Sequence, residues 1–320
     1  MSAKKKYKFP RRWAFVAQPI VLDTGVFELA DGVFLRKAND SEIGVISRNI
    51  KKFVGSPFGL DPCFAYEHDV KLGSEGQLLD SEWLFVEDYR YCVVERAEES
   101  CTFHEINLAS LVTNCPLQIG FMVFAGAGLA AWHPGIQSRF FDYAHPPLPI
   151  FPKSVDLEEL RGVIDLMAKN RIRYENEFPE VLRAFSMYQS LSYLPVESEF
   201  EFIGLFSIIE MLITHNPKLE DRGDSITHQM QSKLPLMMRR FSREISTSDY
   251  FNPQATVSKI WSALYAYRSA LAHGGVADFD RGLHIIKSAD VAKKFLDSVV
   301  RGLLRHVLIE PQLFKDLRGC

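Results

Sequence analysis

The residues of this chain best suited to chemistry are an arginine and a histidine five positions apart, Arg268 and His273, in the run YAYRSALAHGG (Tyr265–Gly275). A guanidinium keeps its charge throughout the working pH range and offers paired, planar donors to a phosphate. Imidazole exchanges a proton near neutral pH, which suits general acid or base work. Together they form a small set able to break a phosphodiester, one side chain holding the phosphate and the other moving a proton. Val257–His273 reads as a helix that stops at Gly274-Gly275. At about 100° per residue, Trp261, Leu264, Arg268 and Leu271 fall within about 40° of Val257, so Arg268 is placed on the core-facing stripe. A buried guanidinium needs an anion or several acceptors, so the plain reading pairs Arg268 with a core carboxylate such as Glu210 in IGLFSIIEML, or lets it snorkel out of the bundle. His273 also has a plain reading, because the helix dipole favours imidazolium at a C-terminus. Five residues turn a helix by about 140°. The two side chains therefore meet only at a frayed end or across an interface with a second copy.

Spacing alone carries little weight. With 20 Arg and 9 His in 320 residues, R-x4-H is expected about 0.6 times by chance; Arg301…His306 repeats it, and Arg139…His145 and Arg222…His228 are one residue longer. Context separates Arg268…His273 from these: a helical stripe leads in, polar Ser269 follows the arginine, and two glycines end the run. The run resembles the Y-x-x-R-S-x-x-x-H-G signature of the ApeA-like HEPN domains. Upstream, FIGLFSIIEML (Phe202–Leu212) resembles their ALE-x-L helix, with Ile209 and Glu210 at the Leu-Glu positions and Ile209 the chief departure. The resemblance spans about Leu160–Leu308, half the chain.

The resemblance implies a helical bundle that dimerises, with the R-x4-6-H motifs of two protomers facing each other to cut RNA without a metal. Carried onto this chain, Arg268 stabilises the charged phosphate. His273 assists attack of the ribose 2′-hydroxyl or protonates the leaving oxygen. Ser269 is the polar residue after the arginine, and Glu210 either orients Arg268 or is structural. The expected protein is a homodimeric endoribonuclease acting on RNA, with no cofactor and with regulated toxicity of the kind used in phage defence. Two other classes stay open: a non-catalytic HEPN module that binds nucleotide, RNA or a partner protein, and a sensor or adaptor that the bundle merely dimerises.

The elements that must position these residues follow from the pattern around them. Residues 1–148 read as β-rich, with short apolar runs at Ala14–Val16, Val33–Leu35, Trp83–Val86 and Tyr91–Val94 between turn residues. One helix interrupts them, capped at Asn39–Glu42 and carrying Ile43, Ile46, Ile50 and Phe53 at helical spacing. His145–Pro152 holds four prolines in eight residues, which suit neither helix nor central strand, so the domain boundary is placed there. Residues 154–320 then read as six helices: Ser154–Lys169, Pro179–Tyr193, Ser198–Thr214, Ser225–Arg243, Ala255–His273 and Ala289–Leu308. The fold class is α+β, a β-rich domain followed by an all-α bundle. In the first domain, Gly32–Ala38 followed by Glu42 resembles a segment often preceding such bundles, and the domain is expected to sense an unknown trigger.

Composition narrows the functional classes. A net charge of −3 argues against a broad electrostatic coat on nucleic acid but not against a local site. The five cysteines, Cys63, Cys92, Cys101, Cys115 and Cys320, include no C-x-x-C pair, which predicts no disulfide framework and a reducing cytoplasm. The nine histidines contain neither H-x-x-x-H nor H-E-x-x-H, so no metal is expected. Ile106–Ser138 lacks any Asp, Glu, Lys or Arg, but Pro116 and Pro134 cut it and Gly120, Gly126 and Gly128 dilute it. It is expected to form buried strands and turns, not a membrane span. Gly126–Ala131 matches G-x-G-x-x-A, but Trp132-His-Pro-Gly135 leaves no room for the helix that a dinucleotide site requires. The basic start, Lys4 to Arg12, is expected to be a solvated tail before it is an RNA contact.

Overall fold

The computed structural model of the chain describes residues 12–54, 64–75, 77–97, 101–115, 117–124, 129–132, 148–195, 198–215 and 225–319. Most of the basic start, Cys63, Gly126–Gly128, Arg139, His145, Arg222 and Cys320 lie outside these residues. The fold is mixed α+β, a predominantly antiparallel β region followed by helices. Two compact units divide the chain, Met1–Ala168 and Lys169–Cys320. The division falls inside a helix that begins just after the proline-rich segment, Ser154–Glu177, and not within the prolines themselves.

In the first unit the strands are β1 (Arg12–Val16), β2 (Val26–Ala30), β3 (Val33–Lys37), β4 (His68–Leu72), β5 (Leu78–Trp83), β6 (Cys92–Arg96), β7 (Ile119–Phe124) and β8 (Leu129–Trp132). Six of them form an antiparallel sheet in the order β2-β3-β6-β1-β7-β8, and β4-β5 is a separate antiparallel pair. Helix α1 (Asp40–Val54) packs Ile46 and Ile50 onto Phe15, Tyr91, Val93 and Phe121. Tyr66, from the short helix α2 (Phe64–Glu67), stacks on Tyr91 at 4.7 Å with the rings nearly parallel. Such large aromatic surfaces dominate the burial that holds a sheet to its cover.

The start of α1 follows the sequence closely. The Asn39 side-chain carbonyl accepts from Glu42 N at 3.0 Å, and the Glu42 carboxylate accepts from Asn39 N at 2.9 Å. Arg36 then grips both oxygens of Glu42, at 2.8 and 2.7 Å, and donates to Glu95 at 2.8 Å. One arginine on β3 thus ties the helix to β6 through charge-assisted bonds.

Two expectations for this unit need correction. Trp83–Val86 is not one strand: β5 ends at Trp83, and Val86–Asp88 is a 3-10 turn. The uncharged stretch from Ile106 does not begin in strands either, because helix α3 (Phe103–Leu111) runs into it. Its signal was present in the chain. Thr102 and Glu105 form a reciprocal capping box, Glu105 N to Thr102 Oγ1 at 3.2 Å and Thr102 N to Glu105 Oε2 at 2.7 Å. The apolar composition masked a start that T-x-x-E marks. The strand after the glycines of Gly126–Ala131 is β8, so no helix N-terminus faces a dinucleotide there. No helix among the described residues is long and apolar enough to cross a membrane.

The second unit is helical: the end of α4 (Ser154–Glu177), then α5 (Pro179–Leu191), α6 (Glu199–Ile213), α7 (Ile226–Met238), α8 (Val257–Ala272), α9 (Ala289–Ile309) and α10 (Pro311–Gly319). All six expected helices start within two residues of their sequence estimates, although α4 ends eight residues later than expected and α7 five earlier; α10 was not anticipated. Helix α6 is the centre. It buries Phe202, Leu205, Phe206, Ile208, Ile209, Leu212 and Ile213, apolar on nearly every side as a core helix must be. It contacts α5, α7, α8, α9 and α10.

Replacing Thr102 by Ala should cost about 1 kcal/mol of stability, because Glu105 N loses its side-chain acceptor at the start of α3. Urea unfolding of the full chain measures it, and an unchanged midpoint would contradict the assignment.

Candidate functional site

Glu210 is one of the few polar residues of α6 after its first turn, so its carboxylate enters an apolar neighbourhood. Burial pushes its pKa above the ordinary 4.5, and Arg268 pulls in the opposite direction without cancelling it. The partner comes from α8, where Arg268 Nη2 lies 3.5 Å from Glu210 Oε2. That distance is at the outer limit for a hydrogen bond. Glu210 Oε1 and Arg268 Nε are both buried and unpartnered among the described residues. The pair is neither bidentate nor saturated: one acceptor and one donor remain unused.

The position of Arg268 refines the helical-wheel expectation. The residues of α8 that are buried are Ile260, Trp261, Ala263, Leu264 and Tyr267. Their centre is rotated from the Val257 line by roughly half a right angle, which leaves Arg268 at the border of the stripe. Its side chain is accordingly 28% exposed, and that of Glu210 17%. Arg268 therefore bridges core and solvent instead of pointing wholly inward.

His273 stands just beyond the last turn of α8 as its C-cap, exposed to solvent. The helix is not frayed there. Gly274 N donates to Leu271 O at 3.3 Å and Gly275 N to Ala270 O at 2.7 Å, the double bond pattern of a Schellman cap. Gly274 takes the left-handed conformation this requires, with φ +68°. The sequence expectation of a Gly-Gly stop is met in detail. Ser269 is half-buried, and its carbonyl accepts from His273 N at 3.1 Å. Glu210 and Arg268 are thus brought together, while no hydrogen bond or ion pair joins either to His273 within the described chain. A regular helix end removes fraying as a way to close the 140° gap.

The second R-x4-H shows what a structural case looks like. Arg301 and His306 both lie on α9, and His306 is 7% exposed, between Phe241 and Phe314 at 6.3 and 6.0 Å. Burial lowers its pKa from 6.5, against Glu310. It is a core histidine. Equal spacing has produced opposite environments, and only His273 can touch an external substrate.

Other chemistries find little footing among the described residues. Cys92 and Cys115 are buried thiols pushed up to about 12, and burial lifts Cys101 to about 11, so none is a ready nucleophile. No group of three or more His, Cys, Asp or Glu is arranged to hold a metal there. A cavity of about 420 Å³ lies beside Met238, Phe241 and Val257, and none of Glu210, Arg268, Ser269 or His273 lines it. Sequence reasoning did not anticipate this cavity, which is lined by the end of α7, the loop that follows it and the start of α8. Compared with known proteins, the chain matches no family model, no curated protein and no solved structure.

Two outcomes test this geometry. A Cβ at Gly274 meets nothing within 4 Å, so Gly274→Ala should cost about 1 kcal/mol through backbone strain alone; a neutral result in urea unfolding would contradict the cap. For Glu210 the folded pKa is raised, so the folded state binds more protons across the window above the ordinary carboxyl value. Stability from this group is then lost as pH rises through that window. Glu210→Gln should remove this loss, gaining stability relative to wild type from acid toward neutral pH. The reverse trend would show that Arg268 over-compensates the carboxylate.

Proposed function

We propose that the chain is a HEPN-type endoribonuclease that cuts RNA without a metal, with Arg268 and His273 as its catalytic residues. The observation that carries the reading is the pairing of environments on α8: a border arginine with unused donor capacity and an exposed histidine on a rigid cap. An RNA strand offers complementary chemistry, an anionic phosphate beside a ribose hydroxyl. His273 takes the 2′-hydroxyl proton as the 2′-oxygen attacks phosphorus. The bond from phosphorus to the 5′-oxygen breaks, and an imidazolium or water returns a proton to that oxygen. Arg268 stabilises the extra negative charge on the phosphoryl oxygens, and Glu210 positions its guanidinium. Acid–base assistance of this kind contributes about 10²–10⁴-fold, and preorganised charge stabilisation adds to it.

Because α8 separates the two side chains by about 140°, the reading requires a homodimer in which one protomer's His273 works beside its partner's arginine. The biological setting that follows is a regulated toxin of the phage-defence type, held off until the N-terminal unit receives its trigger, in the cytoplasm where RNA is at hand.

A second reading has its own observation. Arg268 already faces a buried carboxylate, which is how a non-catalytic bundle that binds nucleotide, RNA or a partner protein would use it. The readings separate cleanly. Under the first, purified full-length protein degrades RNA in chelator, and His273→Ala or Arg268→Ala lowers the rate at least about 10²-fold. Mixing the two inactive variants should then restore part of the activity, since one mixed groove regains both groups. Under the second, His273→Ala is silent and Arg268→Ala changes only stability. A wild type that cuts no RNA under any inducing condition, or a strictly monomeric mass, overturns the ribonuclease reading.

A further inference from the structure

The most unfinished surface lies in the first unit, on the pair β4-β5. Among the described residues this sheet has two strands only, and isolated two-stranded sheets are marginal in water. Its register places His68, Val70 and Leu72 opposite Trp83, Ser81 and Leu78. Asp69 and Lys71 then oppose Glu82 and Asp80, on the other face, because side chains alternate along a strand. One face is apolar and the other is charged. On β4 this side is partly covered, with His68 buried and Val70 and Leu72 half-buried, but on β5 it is left open: Leu79 is 64% exposed, Trp83 70% and, just beyond the strand, Phe85 75%. Large hydrophobic groups clustered in the open mark interaction surfaces.

The charged face is unbalanced. From Glu67 to Asp88 there are seven carboxylates and one lysine. Arg90 reaches Asp69 at 2.9 Å and Lys71 reaches Asp80 at 3.5 Å, but Glu82 has no ion-pair partner among the described residues. Asp69 and Glu82 stand directly across the ladder, an arrangement that destabilises a sheet unless a cation intervenes. Finally, among the described residues β5 bonds to β4 alone within the sheet, so its outer edge presents backbone donors and acceptors to an incoming strand.

These three properties select one kind of occupant. We propose that the outer edge of β5 adds an extended segment of another protein in which Lys or Arg alternates with apolar residues. Its apolar side chains would extend the Leu78–Trp83 face, and its cations would lie along Asp80 and Glu82. Neutral or acidic strands gain the backbone bonds but bring no cation to Glu82 or to the weakly paired Asp80, so charge selects among strand-forming partners. The surface stands independently of the ribonuclease reading. It gives the first unit a way to bind a protein.

The test uses the full chain and a fluorescein-labelled octapeptide of alternating Lys and Val, followed by anisotropy at low salt. Saturable binding is expected. It should weaken at least tenfold for Trp83→Ser/Phe85→Ser and, separately, for Asp80→Asn/Glu82→Gln; both pairs include exposed side chains, and thermal unfolding verifies that the variants fold. A Lys-Gly octapeptide of equal charge should bind at least tenfold more weakly, and a Glu-Val octapeptide should not bind. Equal binding by Lys-Gly reduces the site to non-specific charge and overturns strand addition. Wild-type affinity in both variants, no binding at all, or self-association lost in Trp83→Ser/Phe85→Ser without peptide binding each overturns the proposal. So does peptide binding that appears only after residues 2–10 are deleted, which would make the chain's own basic start the occupant.

Discussion

A carboxylate placed in an apolar helix governs the second unit. Glu210 sits where α6 is otherwise packed on nearly every side, and the helix that answers it must bring a cation to that spot. Arg268 does so from the border of the α8 stripe, on a helix whose rotation is set by burial of Ile260, Trp261, Ala263, Leu264 and Tyr267. The same rotation leaves part of the guanidinium in solvent and carries α8 onward to a cap that exposes His273. One helix orientation therefore places both halves of the candidate site, Arg268 against Glu210 and His273 at the exposed cap. The pair is incomplete, a 3.5 Å contact with one oxygen and one nitrogen unpartnered. Buried pairs that serve stability alone are usually well hydrogen-bonded.

His273 and His306 show why residue spacing cannot assign a site. Both follow an arginine by five positions. One terminates its helix against two glycines and remains exposed; the other sits mid-bundle between two phenylalanines with its proton affinity lowered by burial. The difference comes from tertiary packing and from the Schellman cap. A left-handed residue after the helix lets the chain leave abruptly and keeps the C-cap side chain outside.

Much of this was legible in the chain. The capping residues at Asn39 and Glu42, the helical spacing of Ile46 and Ile50, the Gly-Gly stop and the run of helices after the prolines all depend on local rules, and they appear where those rules place them. Glu210 was named as a partner for Arg268 because a buried guanidinium needs an anion and few acids lie on apolar helices. What escaped depends on context. Helix α3 was hidden because an uncharged sequence suits a buried strand as well as a buried helix, although Thr102 and Glu105 marked its start. The strand expected at Trp83–Val86 failed because the chain turns after Trp83 and leaves its aromatic residues in solvent, a choice that local propensity does not favour. The precise border position of Arg268 also required the neighbouring helices, since one wheel cannot say which neighbours fill which side.

The central claim is that Arg268 and His273 break RNA through the ribose hydroxyl, with no metal taking part. The chemistry of the broken ends tests it most directly. In chelator-containing buffer, full-length protein should leave 2′,3′-cyclic phosphate and 5′-hydroxyl ends, and these ends should vanish with His273→Ala. Breaks ending in 5′-phosphate, breaks that need added divalent metal, or unchanged breaks in His273→Ala would contradict the account.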